Sequence, residues 1–506
     1  MSLRKKMAKG AMWSLIEKGV SQGISFVVFT IVARLIGPEE YGLVNMCYIY
    51  LALAMVVVYG IVDGIINLTI RDDRRLSTLF WTVVAIGFAL STLFYCAAWP
   101  FAFIMKQPRL IPLLHLFSLM PILLSFSAVP SMLVSASMNF RIFTIRTLVA
   151  SLIGGTTGIV MASKGFGAYA LVAQQLVHYT VINIVIWPGS GWLPRFMFDA
   201  SALRHILKPG LKMTGSSLVS FSEQQVPRIL IGIFLGPAAV GYFAFVLRIN
   251  QALQEVFVYP LSVVLYPALS RIRDNLGEQN KILGQLMMLS GTLVFPAVAG
   301  GIITAPVFVP LIFGEAWKPA IPILQLLLIT TATLPFIVIL RDLLRAHNRT
   351  GAFLRTQFVI VSCILISTLL LVSHGLFWVS TGLVVMSLAA IPAYTHVVAH
   401  IVKIRLWPKY RQLGAPIAAS ALMLAAIYAF ERSPFLPSRL WIHLLFDFVV
   451  GGTVYAAACF ALQFRQMLSL WAFAKAWRHR RFSEMEDSES AKAAIIGNPE
   501  LGSEIE

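Results

Sequence analysis

Lys18, Arg228 and Arg248 stand inside long apolar stretches of a 506-residue chain, away from any run of solvated charge. A cation in such a stretch is costly and is kept where it faces a partner or a water-filled space. Each has polar neighbours at three- and four-residue spacing, which a helix gathers on one face. Ser14, Lys18, Ser21, Gln22 and Ser25 form one stripe, and Ser217, Ser220, Gln224 and Arg228 a second. Arg248, Gln251 and Glu255 form a third, with Asn250 and Gln254 beside it. Fixed cations among hydroxyl and amide groups suit a phosphate or diphosphate, which a guanidinium fork holds through two parallel hydrogen bonds. Arg34 adds a further cation near the outer rim. Glu17, Glu223 and Glu255 are candidate counter-ions, so each cation also reads as half of an internal ion pair that sets helix register. Asp63, Glu17 and Glu223 are candidate ion-coupling residues, although Asp63 equally reads as a carboxylate wetted at a helix end.

Other chemistries find little support. His115 and His178 fall inside apolar runs, and His396 and His400 have ligand spacing. No cysteine or carboxylate cluster accompanies them, so they read as structural and no metal is expected. Cys47, Cys96, Cys363 and Cys459 all lie in apolar segments, which argues against a disulfide framework. The Gly-rich loop that would cradle ATP is missing, no cofactor is implied, and no outer connection is long enough for a catalytic domain. A transporter is expected, not an enzyme.

The elements that must position these residues are membrane spans. Hydrophobic residues make up 58% of the chain and charged residues 12%, against about 25% charged in ordinary soluble domains. The expected fold class is all-α and polytopic. Stretches of about 20 apolar residues recur near 12–36, 43–66, 78–105, 111–137, 147–163, 167–187, 211–235, 239–269, 282–313, 319–341, 352–373, 376–402, 413–430 and 441–463, about 14 in all. Thirty basic residues then fall in connections on one side and seven on the other, which predicts that both termini are cytoplasmic. The net charge of +18 is therefore topological, and nucleic acid is not an expected partner. Arg4-Lys5-Lys6-Met7-Ala8-Lys9 resembles the start of a signal peptide, but no small-residue cleavage site follows, so a retained first span is expected.

The spans repeat. Gly37, Pro38 and Gly42 return as Gly236, Pro237 and Gly241 at an offset of 199, in what reads as a tight turn between two apolar helices. Ile111-Pro112 returns as Ile321-Pro322 at offset 210, and Asn139 as Asn348 at offset 209. A duplicated unit of about 200 residues follows, with six spans per copy; an even number puts the symmetry axis along the membrane normal. The expected organisation is an N-lobe over 1–187, a cytoplasmic linker over 188–210, a C-lobe over 211–402, two added spans over 403–463 and a cytoplasmic tail over 464–506. The tail's basic-aromatic start suits an anionic membrane surface, and its acidic end reads as disordered. A cationic cavity between the lobes would satisfy all three polar stripes.

Several stretches carry a resemblance to a known family: Ala33-Arg34-Leu35-Ile36-Gly37-Pro38-Glu39-Glu40-Tyr41-Gly42, Leu79-Phe80-Trp81, Phe166-Gly167-Ala168-Tyr169-Ala170-Leu171-Val172, Tyr266-Pro267-Ala268-Leu269-Ser270 and Leu311-Ile312-Phe313-Gly314-Glu315-Ala316-Trp317. With the Gly-Pro turns and two six-span lobes, they resemble the multidrug/oligosaccharidyl-lipid/polysaccharide exporter superfamily, and within it the bacterial O-antigen and exopolysaccharide flippases. The resemblance implies flipping of an undecaprenyl-diphosphate-linked oligosaccharide across the bacterial inner membrane by alternating access, through a cavity lined by spans one, two, seven and eight. Membrane lipids, and a polysaccharide polymerase and chain-length regulator, would then be partners. Two alternatives remain: a drug or lipid II exporter of the same superfamily, and a membrane glycan polymerase or ligase.

Overall fold

A computed structural model describes residues 3–63, 72–137, 140–258, 265, 269–270, 272–273, 275–404, 406–432 and 441–462; the side chains of 3–18, Asp63, Phe140, Glu431 and several residues between 200 and 219 lie outside this description. The described regular structure is helical throughout. In chain order the helices are α1 (Leu3–Asp63), α2 (Asp73–Ile104), α3 (Leu110–Phe117), α4 (Met120–Ala136), α5 (Phe140–Ser163), α6 (Ala168–Ser190), α7 (Ala200–Phe257), α8 (Leu276–Phe313), α9 (Ile321–Ala346), α10 (Thr350–Leu371), α11 (Leu376–Ile401), α12 (Gly414–Glu431) and α13 (Trp441–Leu462), with a 3₁₀ turn at Glu315–Ala320 and a short helix at Trp407–Tyr410. Among the described residues, twelve segments are long and apolar enough to cross a membrane. The predicted all-α polytopic fold is thus observed; the expected count of about 14 is not, and two of the twelve segments each run through parts of two expected stretches.

Those two are α1 and α7, each broken at a glycine. Gly37 has φ +75° and Gly236 φ +82°, values that side-chain-bearing residues rarely adopt, and Pro38 and Pro237 follow at once. The break folds α1 back on itself: the rings of Phe29 and Tyr41 are 5.7 Å apart, whereas twelve residues of straight helix span about 18 Å.

The two turns pack against each other reciprocally. A Cβ on Gly42 would overlap the Pro237 carbonyl and stand 2.9 Å from the Gly241 nitrogen. One on Gly241 would overlap the Pro38 carbonyl and stand 3.2 Å from the Gly42 nitrogen. Residue i of one repeat meets the partner of residue j in the other, as at a two-fold axis. Farther along, Gly60 lies against Thr214 and Gly210 against Ile61. Small residues let helix backbones approach where lipid removes most of the hydrophobic drive to associate. The contact between α1 and α7 is the most extensive in the described structure.

Around this pair, α1 packs on α5, α4 and α2, while α7 packs on α9 and α10; α9 in turn bridges α8 and α11. Span four divides at Ser118 and Leu119, with Pro121 in the first turn of α4, where a missing amide hydrogen is harmless. The connection from α6 to α7 is non-helical only over 191–199. Over the Gly-Pro turns sits an aromatic cap. Trp317 is fully buried, stacks on Phe245 with ring centroids 4.4 Å apart, meets Tyr41 edge-on at 5.7 Å, and donates from Nε1 to the Ala33 carbonyl at 3.1 Å.

Gly42→Val and Gly241→Val should each prevent the turns from meeting, with loss of folded protein by fluorescence-detected size exclusion. Gly19→Ala, whose site is open, should behave as wild type. Trp317→Ala should cost about 3–5 kcal/mol of stability, read as a marked fall in detergent melting temperature.

Candidate functional site

The break at Gly236 sets the depth of the two arginines. Arg228 precedes it by eight residues and Arg248 follows by twelve, which is about 12 Å and 18 Å along a helix. From a turn at the surface of a hydrocarbon core about 30 Å thick, helices of these lengths would carry both arginines well inside it. Arg248 reaches across from α7 to the first half of α1, where Nη2 donates to Ser25 Oγ at 2.5 Å. Its Nη1 donates to Gln251 Oε1 at 3.4 Å, and Gln251 Nε2 donates to Glu255 Oε1 at 3.1 Å. Ser25, Arg248, Gln251 and Glu255 therefore form one chain of hydrogen bonds joining two of the predicted stripes.

Arg228 is held differently. Its Nη1 donates to Gln225 Oε1 at 3.1 Å, while its buried Nε has no hydrogen-bond partner, and nor does the buried Nε2 of Gln22 on α1. Buried donors without acceptors are uncommon and costly. The second half of α1 carries a further face with polar groups. That face is Tyr41, Asn45 and Tyr48, at spacings of four and three residues. It supplies the polar contribution of span two, which the stripes of serine, glutamine and charge did not reveal. Tyrosine reads as apolar in a hydropathy window, but a Tyr-x₃-Asn-x₂-Tyr pattern on one helix face was available as a signal. Tyr48 accepts a hydrogen bond from Gln175 Nε2 at 2.8 Å.

The remaining candidates separate. Arg34 donates to the carbonyls of Leu311 and Ile312 at 3.3 and 3.4 Å, tying the end of the first span to α8 beside the aromatic cap. Glu223 faces α10, where its carboxylate accepts from Gln357 Nε2 at 2.9 Å; Gln357 Oε1 accepts in turn from the Tyr394 hydroxyl at 2.6 Å. Ser21 and Ser217 are partly buried, and Ser220 and Gln224 are exposed. The side chains of Ser14, Glu17, Lys18 and Asp63 lie outside the described residues. His115 stacks on Tyr95, and His396 meets His400 edge-on. No group of His, Cys, Asp or Glu among the described residues is arranged to hold a metal.

What the arrangement can do is bind an anion. Arg228 and Arg248 on α7, Ser25 on α1, and the orphaned donors of Arg228 and Gln22 all lie on the two helices that carry the Gly-Pro turns. A phosphate oxygen would satisfy them with charge-assisted hydrogen bonds.

Comparison with known proteins gives the same picture of fold. The chain resembles the Escherichia coli lipopolysaccharide biosynthesis protein WzxC, 26% identical over 65% of this chain and 67% of that protein. It similarly resembles the Rhizobium meliloti succinoglycan biosynthesis transport protein ExoT, 25% identical over 65% and 67%. Its fold matches the solved lipid II flippase MurJ in an inward closed conformation, with a TM-score of 0.74 and 14% identity over 90% of this chain and all of that one. An inward-facing multidrug resistance MATE transporter of the MOP superfamily matches with a TM-score of 0.58 and 17% identity, over 79% of this chain and 95% of that one. A family model described as polysaccharide biosynthesis protein matches residues 31–322, more than half of the chain and including both Gly-Pro turns. The chain belongs to that family of polysaccharide biosynthesis proteins.

Proposed function

We propose that this protein flips an undecaprenyl-diphosphate-linked oligosaccharide from the inner to the outer leaflet of the bacterial inner membrane. The observation that carries the reading is that a buried guanidinium nitrogen of Arg228 has no hydrogen-bond partner, on the same apolar helix that carries Arg248. A diphosphate is the part of such a cargo that cannot enter hydrocarbon, so a cationic site at mid-depth lowers the barrier where it is highest. Membership of the polysaccharide biosynthesis family, and likeness to a succinoglycan transport protein, support cargo of this class.

In this reading Lys18, Arg228 and Arg248 hold the diphosphate, with Arg34 at the outer rim. Ser14, Ser21, Gln22, Ser25, Ser217, Ser220, Gln224, Gln251 and Glu255 line the route, and Tyr41 and Tyr48 join them. An N-lobe over 1–187 and a C-lobe over 211–402 rock about the Gly-Pro contact, with both termini cytoplasmic. Glu223, in its bonds to Gln357, couples an ion to the movement; Glu17 and Asp63 are further coupling candidates. A polymerase and a chain-length regulator would receive the cargo on the outer face.

In proteoliposomes carrying undecaprenyl-diphosphate oligosaccharide, Arg228→Ala and Arg248→Ala should each slow flipping about 10- to 100-fold, the scale of a lost hydrogen bond to a charged group. The amount of folded protein should not change. Wild-type rates in both variants would remove the site. Equal or faster movement of lipid II or a cationic drug would reassign the cargo.

Glu223→Gln keeps an acceptor for Gln357 and removes the charge. It should leave downhill flipping intact while abolishing its acceleration by an imposed proton or sodium gradient. A response equal to wild type would exclude Glu223 from coupling.

A further inference from the structure

A polar pocket of about 400 Å³ opens where the start of α8 meets the turn that leads into α12. Its walls carry Asn280, Lys281, Gln285 and Met288 from α8, and Lys409 and Gln412 from the turn. Gly277 and Gly284, seven residues apart on one helix face, keep the floor clear; a Cβ at Gly284 would stand 3.1 Å from Gln412 Oε1. No lining side chain is acidic, yet Lys409 is only 7% exposed. Its Nζ donates to the Asn280 carbonyl at 2.5 Å, which leaves its other protons for a further acceptor and its charge without a lining counter-ion. Lys281 stands exposed at the same pocket. The buried Oε1 of Gln285 accepts no hydrogen bond, so the pocket also lacks one donor.

The surroundings locate the pocket at a membrane boundary. Ile404 and Leu406 are buried, whereas neighbouring Trp407 is 74% exposed, the disposition of an interfacial tryptophan whose ring sits at headgroup level. Tyr410, on the same short helix, is fixed to α11 by a 2.6 Å hydrogen bond between its hydroxyl and Thr395. Two lysines in a carboxylate-free pocket suit an anion, and the free amide oxygen suits a hydroxyl donor. A phosphate diester bearing a glycerol supplies both.

We propose that this pocket binds the headgroup of an anionic glycerophospholipid, with the phosphate between Lys281 and Lys409 and a headgroup hydroxyl donating to Gln285. The bound lipid bridges α8 and the turn before α12, fastening the C-terminal spans to the second repeat. It is a separate element from Arg228 and Arg248, and its test does not depend on the transported cargo.

The full chain, purified in detergent and stripped of lipid, should be melted with dioleoylphosphatidylglycerol, dioleoylphosphatidylethanolamine or inorganic phosphate. Phosphatidylglycerol should raise the melting temperature by several degrees, as binding to the folded state alone requires, while the other two have no effect. Lys281→Ala, at an exposed position, should melt as wild type without lipid and lose at least half of the shift. Lys409→Gln should lose it entirely. Gln285→Leu should weaken the response to phosphatidylglycerol more than that to phosphatidic acid, which has no glycerol headgroup. No shift with phosphatidylglycerol, or one unchanged in Lys281→Ala, would overturn the proposal. Equal stabilisation by inorganic phosphate would also overturn it, assigning the pocket to a soluble anion.

Discussion

The contact on which the structure depends is the meeting of two backbones at Gly42 and Gly241, each glycine lying against the proline carbonyl of the other repeat's turn. In lipid the usual gain from burying apolar surface is small, and helices associate through close van der Waals packing instead. Two glycines and two Gly-Pro breaks allow an approach that a single methyl group would prevent. Because the contact is reciprocal, it forms only if both repeats place the same turn at the same height. Duplication of the turn is thus a condition for joining the repeats. Trp317 and its aromatic neighbours then close the space above the turns, and the ties from Arg34 and Trp317 Nε1 bind the end of the first span to that cap.

Below the turns the same geometry brings charge into the interior. Arg34 donates to two backbone carbonyls beside the cap. Arg248 is fixed by Ser25 and Gln251 in a chain that ends on Glu255, while Arg228 keeps a buried nitrogen without an acceptor. An unsatisfied donor, as on Arg228, is ready for a ligand, whereas a satisfied one, as on Arg248, exchanges its partners for it. An arginine held by neighbouring amides can receive an anion without first breaking a salt bridge. This preorganisation suits a site that must also release its cargo.

The second repeat adds a polar centre of its own. Glu223 is one residue from the stripe that carries Arg228, yet it faces α10 and joins Gln357 and Tyr394. One helix therefore presents a cation toward α1 and a carboxylate toward α10, two environments separated by the helix itself. A change in the charge of Glu223 would act on the packing of α7 against α10 and α11, and so on the helix that carries both arginines.

The sequence by itself determined the class of the protein, because composition and span length leave few alternatives in a bilayer. It also determined the Gly-Pro repeat, read directly as Gly37-Pro38 and Gly236-Pro237, and grouped polar residues into three stripes at helical spacing. Tertiary structure decided what those residues meet. Helical periodicity assigns a residue to a face but carries no information on which helix lies opposite, so the pairing of Arg248 with Ser25, 223 positions away, was not legible. Nor was the separation of Glu223 from the cationic group, because adjacent residues on a helix lie about 100° apart and can face different neighbours. The tyrosine face of α1 escaped for a chemical reason: a hydroxyl on an aromatic ring counts as apolar until the fold gives it a polar partner, as Gln175 is for Tyr48.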